Sequence, residues 1–276
     1  MDFRNYKNTY RAALKSANMA EQTIKTYSSC LELFFRHFKN MKEPKEVNAE
    51  QLKFFIAGLS SPAYQRQMYG ALKNFYSWVI NQPKKLQYVP FAQREEKLPV
   101  VLSQQEIESI ILACNNLKHK CIISLIYGFG LRRSELINMQ FGWIDRQRMI
   151  LKVKGKGSIE RQVPINDRLL NMMEAYYKQY RPKQYFIEGA NAGKYSATSI
   201  AKILKRAMHK AGVKKKATVH SLRHSYATHL LEAGVSLRII QTLLGHKNSK
   251  TTERYTTVST SHLNEVYSPI QSINLK

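Results

Sequence analysis

The chain has 276 residues, 43% of them hydrophobic, enough for one large core or, more naturally, two of ordinary size, so disorder is set aside. Lys and Arg number 44 against 19 Asp and Glu, and the resulting charge of +25 exceeds what solubility needs and points to a polyanionic partner. A membrane surface is the competing polyanion, but no apolar run reaches the ~18 residues that span a bilayer, and the polar start MDFRNYKNTY lacks the apolar stretch of a secretion signal.

Helical periodicity opens the chain. Tyr6, Tyr10, Ala13 and Leu14 predict a first helix. Ile24, Tyr27, Leu31, Phe34, Phe35 and Phe38 form one apolar stripe, Leu52, Phe55, Ile56 and Leu59 a second, and Met68, Leu72, Phe75 and Val79 a third. Lys25, Arg36, Lys39, Arg66 and Lys73 fill the opposite faces. Any one of them alone reads as solvated surface, but as a set their excess over acids favours a side that meets the polyanion. Residues 83–100 break the pattern with Pro83, Pro90 and Pro99 and carry Lys84, Lys85, Arg94 and Lys97, so an extended basic linker is expected there.

Ser103 and Glu106 then have the spacing of a capping box, opening a helix whose apolar face is Ile107, Ile110, Ile111 and Cys114. Ile122, Leu125, Ile126 and Phe129 mark the next helix. The three cysteines, Cys30, Cys114 and Cys121, lie within apolar helical patterns and read as buried thiols of a reducing cytoplasm. Strand signals are confined to one region. Leu151 and Val153 alternate with lysines, a glycine turn follows at 155–158, and Arg161, Val163 and Ile165 alternate beyond it, which predicts a β-hairpin. A short third strand is expected at 185–187. Helices resume over 169–180 and 200–211, the latter stopped by Gly212, and two more are punctuated by Gly234 and Gly245. The expected fold class is mainly α with a small antiparallel sheet (α+β): a helical domain over 1–82, the linker, a mostly helical domain over 101–260, and a tail over 261–276.

The second half also holds polar clusters that composition does not explain. Arg132 follows Gly130-Leu131 at a helix start, placed to meet an anion, although pairing with Glu135 on the surface is the plainer alternative. Lys156 lies between glycines at the hairpin tip, where a solvated turn lysine is the commoner case. His220 and Arg223 are three apart, on one side of a helix, so both can address one phosphate; a capping histidine is the alternative. His246 follows Leu244-Gly245 just past a helix end. Tyr255 sits in the polar run Thr251-Thr252-Glu253-Arg254-Tyr255, one of 16 tyrosines. Each signal alone is weak.

In order and wording together, these motifs resemble the tyrosine recombinase (phage integrase) family, most closely its short Xer-like and integron-type members. The resemblance implies a core-binding, DNA-clamping domain over 1–82 and a catalytic domain over 101–260. It implies catalytic roles for Arg132, Lys156, His220, Arg223, His246 and the nucleophile Tyr255, with Glu135 as a supporting acid. The expected activity is cutting and rejoining duplex DNA through a 3′-phosphotyrosyl bond, with no cofactor, since exchange of one phosphodiester for another needs neither ATP nor metal. The expected partners are double-stranded DNA with paired recombination sites and a homotetramer on the synapsed DNA, with no membrane and a cytoplasmic, bacterial or mobile-element setting. In the family a tail such as that bearing Leu263, Val266 and Tyr267 docks on a neighbouring protomer, docking within one chain being the alternative. Rival readings are a metal-dependent nuclease, which needs several convergent acids where the motifs offer only Glu135, a type IB topoisomerase-like nicking-closing enzyme, and a non-catalytic DNA-binding protein.

Overall fold

The computed structural model describes residues 3–91, 93, 98–155, 160–246, 250–253 and 255–256. The chain divides between Glu96 and Lys97 into two units.

The first unit is built from helices α1 (Phe3–Ser16), α2 (Glu21–His37), α3 (Ala49–Ala57) and α4 (Pro62–Trp78). Local chemistry fixes where they begin. The Asn48 side chain accepts the Gln51 amide at 2.8 Å and the Gln51 side chain accepts that of Asn48 at 2.8 Å, so two donors otherwise orphaned at the start of α3 are satisfied reciprocally. Ser61 caps α4, whose first residue is Pro62, where the missing N–H costs nothing. The predicted stripes face inward, and Leu31, Phe34, Leu52, Met68, Leu72 and Phe75 are buried. Two buried phenols reach main-chain acceptors, Tyr10 at Ala71 (2.7 Å) and Tyr76 at Pro44 (2.8 Å). Where an extended linker is expected from residue 83, the chain instead folds onto this core as far as Val89. Leu86 and Val89 are buried in it, and Lys85 donates to the Lys45 carbonyl at 2.8 Å. Two apolar side chains suffice to hold a proline-containing stretch against a core. Arg94 and Lys97 lie outside the described residues.

The second unit opens with α5 (Gln104–Leu112), whose Ser103–Glu106 capping box is formed as the spacing predicts. Helix α6 (Leu117–Gly128) is apolar on nearly every side, with Cys121 to Ile126 all buried, and it is the element around which the unit packs. Helix α7 (Arg133–Asn138) is short. A three-stranded antiparallel sheet follows in the order β1 (Ile144–Asp145), β2 (Ile150–Lys154) and β3 (Glu160–Pro164). Leu151 pairs with Val163 and Val153 with Arg161, so the alternation turns these four side chains to the buried face. The hairpin tip beyond Gly155, with Lys156, lies outside the described residues. The third strand is Ile144–Asp145, not 185–187. That stretch is irregular, with Phe186 donating its amide to Met139 at 2.7 Å and the Phe186 and Ile187 side chains filling the core. A short apolar run buries itself equally well in a loop, and its periodicity does not separate the two.

Helices α8 (Asp167–Tyr180), α9 (Ala197–Lys210), α10 (Val219–Glu232), α11 (Leu237–Leu244) and α12 (Lys250–Glu253) complete the unit. Gly212, Gly234 and Gly245 all take positive φ, and Gly245 caps α11. The three cysteines are buried and free. Among the described residues no helix is long and apolar enough to cross a membrane. The tail over 261–276 lies outside the described residues.

Candidate active site

The site grows from the turn between α6 and α7. Gly130 has φ +57°, and a Cβ there would lie 2.5 Å from a ring carbon of Tyr226, so both backbone and space demand glycine. The turn presents the Gly130 carbonyl inward, where it accepts Arg223 Nη1 at 2.7 Å. Two residues on, Arg132 is the N-cap of α7. Its amide donates to Glu135 Oε2 at 2.8 Å and its Nη1 to Oε1 at 2.7 Å.

Glu135 is only 4% exposed and is bonded from a second side by Arg161, whose Nη1 and Nη2 each donate at 2.8 Å. Burial alone pushes its carboxyl pKa up. The bonds and charge of Arg161, together with the bonds from Arg132, outweigh that and hold it near 2, so the group is an anion throughout the neutral range. Arg161 also donates from Nε to the Leu243 carbonyl at 2.6 Å, fastening β3 to α11. Arg161 has no role in the motif reading. Its signal was nonetheless present, since it alternates with Val163 and Ile165 and must therefore point inward.

Helix α10 carries His220, Arg223 and His224. Arg223 is wholly buried. Besides Gly130, it donates from Nη2 to the Leu244 carbonyl (2.6 Å) and meets His246 Nε2 at 3.1 Å, and its Nη1 lies 3.7 Å from Glu135. Its Nε has no hydrogen-bond partner among the described residues. Burial and the neighbouring Arg132 and Arg161 push its pKa down, but an arginine stays protonated in protein surroundings.

Gly245 turns the chain so that His246 faces this guanidinium. An arginine can only donate, so Nε2 of His246 is the acceptor and Nδ1 carries the proton, donating to Thr252 Oγ1 at 2.9 Å. Burial, followed by the charges of Arg223, Arg132 and Arg161, lowers the His246 pKa to about 3, leaving the ring neutral. His220, in the first turn of α10, is exposed, and its pKa is lowered by partial burial and by Arg223 and Arg132. Its ring meets that of His224 edge-on, with centroids 4.4 Å apart.

Tyr255 is 1% exposed and packs with Ala227, Leu231, Ile240 and Leu244 in a small third cluster. Its ring lies nearly parallel to that of His246, 6.4 Å away, and its Oη is 3.2 Å from Nδ1 of His224. The structure therefore brings Arg132, Glu135, Arg223, His246 and Tyr255 together, with His220 alongside. A groove of about 880 Å³ runs beside them, lined by Lys152, Arg161, Arg238, Gln241 and His246. Within the cluster three guanidinium groups face a single carboxylate, so positive charge is left over and a further anion is invited.

Comparison with known proteins bears on both units. Residues 100–262 match the phage integrase family, and residues 8–85 match the phage integrase N-terminal SAM-like domain. Tyrosine recombinase XerA of Pyrococcus horikoshii is 34% identical over 263 residues, covering 91% of this chain and 88% of its own. A putative integrase/recombinase of Sinorhizobium fredii, y4qK, is 31% identical over 262 residues, covering 92% and 84%. The XerH recombinase in its post-cleavage complex with a palindromic difH substrate shares the fold, with a TM-score of 0.75 at 20% identity over 94% of this chain and 83% of that one. Matches to both units, together with relatives above 30% identity along nearly the whole length, establish that this chain belongs to the phage integrase family and is a tyrosine-type site-specific recombinase.

Proposed function

We propose that this recombinase cuts and rejoins duplex DNA through a covalent 3′-phosphotyrosyl bond carried by Tyr255, without metal or ATP. The observation that carries the reading is the unbalanced positive charge of Arg132, Arg161 and Arg223 around Glu135, with the Tyr255 ring beside His246, which meets Arg223. A scissile phosphate supplies the missing anion. Arg132, whose side chain is 38% exposed, and Arg223 bind its non-bridging oxygens and counter the charge that develops as Tyr255 attacks. Glu135 holds both arginines in place. His246 adds a donor: Thr252 Oγ1 can donate as readily as it accepts, so the ring proton can sit on Nε2 once a phosphate oxygen is there to receive it. His220 stands at the exposed rim, beside the same phosphate. Lys156, at the hairpin tip, protonates the departing 5′-oxygen. The energy of the cut bond is kept in the phosphotyrosine, and a 5′-hydroxyl from a partner duplex reverses the step.

Exchange between two duplexes requires paired sites held together, which a homotetramer provides. The first unit binds the same duplex, and the protein acts in the cytoplasm, where the DNA is.

Tyr255→Phe tests the reading directly, since only the hydroxyl is lost. On a nicked suicide substrate the variant is expected to bind DNA as the parent does and to give no covalent band on a denaturing gel. A persisting band would move the nucleophile elsewhere.

A further inference from the structure

The tyrosine that attacks must lose its proton, and a titratable side chain stands within hydrogen-bond distance of its hydroxyl. Tyr255 is 1% exposed, so bulk water has no direct access to the hydroxyl. Its Oη is hydrogen-bonded to Nδ1 of His224 at 3.2 Å. His224 is half-buried on α10, one residue after Arg223, and its ring centroid lies 5.6 Å from that of Tyr255. One turn earlier, His220 packs edge-on against it, with ring centroids 4.4 Å apart.

We propose that His224 is the proton acceptor for Tyr255, with His220 as the residue that positions its ring. The step rests on the phosphotyrosyl reading above and balances as follows. The Tyr255 O–H bond breaks and its proton goes to Nδ1 of His224. The oxygen's electron pair forms the new O–P bond, and the P–O5′ bond breaks with its pair on the 5′-oxygen, which takes a proton from Lys156. In the return step the 5′-hydroxyl attacks phosphorus as its proton passes back to Lys156, the P–O bond to Tyr255 breaks with its pair on the tyrosine oxygen, and the imidazolium of His224 returns its proton to that oxygen. An imidazole is suited to both directions because its ordinary pKa lies near neutrality.

The test separates proton acceptance from mere orientation. In His224→Asn the amide oxygen falls close to where Nδ1 lies and accepts the phenolic hydrogen bond, but it cannot take the proton. Single-turnover cleavage of the nicked substrate by the full chain is measured for the parent, H224N and H220N. Each carries either tyrosine or a ring-fluorinated, more acidic tyrosine at 255. H224N is expected to cleave about 10²–10⁴-fold more slowly than the parent with ordinary tyrosine, and fluorination should recover at least about tenfold of that deficit. The deficit of H220N should not respond to fluorination. An Nδ1-methylated histidine at 224 keeps the ring and its packing while blocking that nitrogen, and it should reproduce the H224N loss even if H224N itself folds poorly. Near-parental cleavage by H224N, a deficit indifferent to fluorination, or a fluorination-sensitive deficit in H220N alone would each overturn the assignment. Tyr255→Phe is run in parallel: a covalent band there sinks the nucleophile assignment itself, whereas its absence leaves the His224 result to stand on its own.

Discussion

Glu135 faces three guanidinium groups and carries the only negative charge among them. Glu135→Gln keeps the shape but turns an amide N–H₂ toward donors that need an acceptor. Breaking a buried pair from one side typically costs about 3–5 kcal/mol, because the partner charge is left uncompensated. A loss of that order is expected in urea unfolding of the second unit at pH 7. The pH dependence follows from the direction of the shift. The folded carboxyl titrates near 2, below the ~4.3 of an unfolded glutamate. Its contribution is therefore complete above the unfolded value and disappears as pH falls from there toward 2. The parent should lose stability over that window more steeply than Glu135→Gln, and an equally steep acid limb in both would show that Glu135 is not the group responsible.

At the scale of elements, the joint between β3 and α11 matters most, because α11 ends at the turn that presents His246. Arg161 fastens that joint, bonded at once to Glu135 and to the Leu243 carbonyl. A lysine has the charge but not the planar fork, and it cannot make all three bonds. Arg161→Lys is expected to leave DNA binding within about threefold of the parent in gel shifts while slowing cleavage at saturating DNA by about tenfold or more, through a displaced His246. Weakened binding with unchanged cleavage would instead make Arg161 a DNA contact. Elements also show what the sequence reveals and what it hides. Long amphipathic helices such as α2 and α9 are plain in their spacing, and the capping box of α5 is plain in two residues, because both depend on local chemistry. The third strand was misplaced because two residues at 144–145 pair only through tertiary contacts, while 185–187 offered a convincing apolar run. The same division holds in the site. The motifs name Arg132, Arg223, His246 and Tyr255, and the structure places these side chains together. Arg161 stands in no motif and shows only in its strand alternation, while the contact of His224 with Tyr255 arises from what the fold brings beside it.

For the whole molecule, charge and domain structure make a joint prediction. The chain carries +25 in all, and its two units have separate cores. A duplex held by both releases condensed counterions to both, so log Kd should rise steeply with log salt. Residues 98–276 expressed alone keep the catalytic core intact but leave the first unit's phosphate contacts unmade. The salt slope of that fragment should be clearly shallower than that of the full chain, as measured by fluorescence anisotropy over a salt series. Equal slopes would mean that the first unit does not touch the DNA backbone.

The burial of Tyr255 has a consequence for safety. A DNA-cutting enzyme spends most of its life on sequences it should leave alone, and a nucleophile on open display would attack any phosphodiester that drifted past. Here the ring of Tyr255 is packed with Ala227, Leu231, Ile240 and Leu244, and its hydroxyl is held by His224. Taking one large side chain out of such packing costs about 1.5–3 kcal/mol, a cost that contacts with DNA would have to offset before the ring could leave its place.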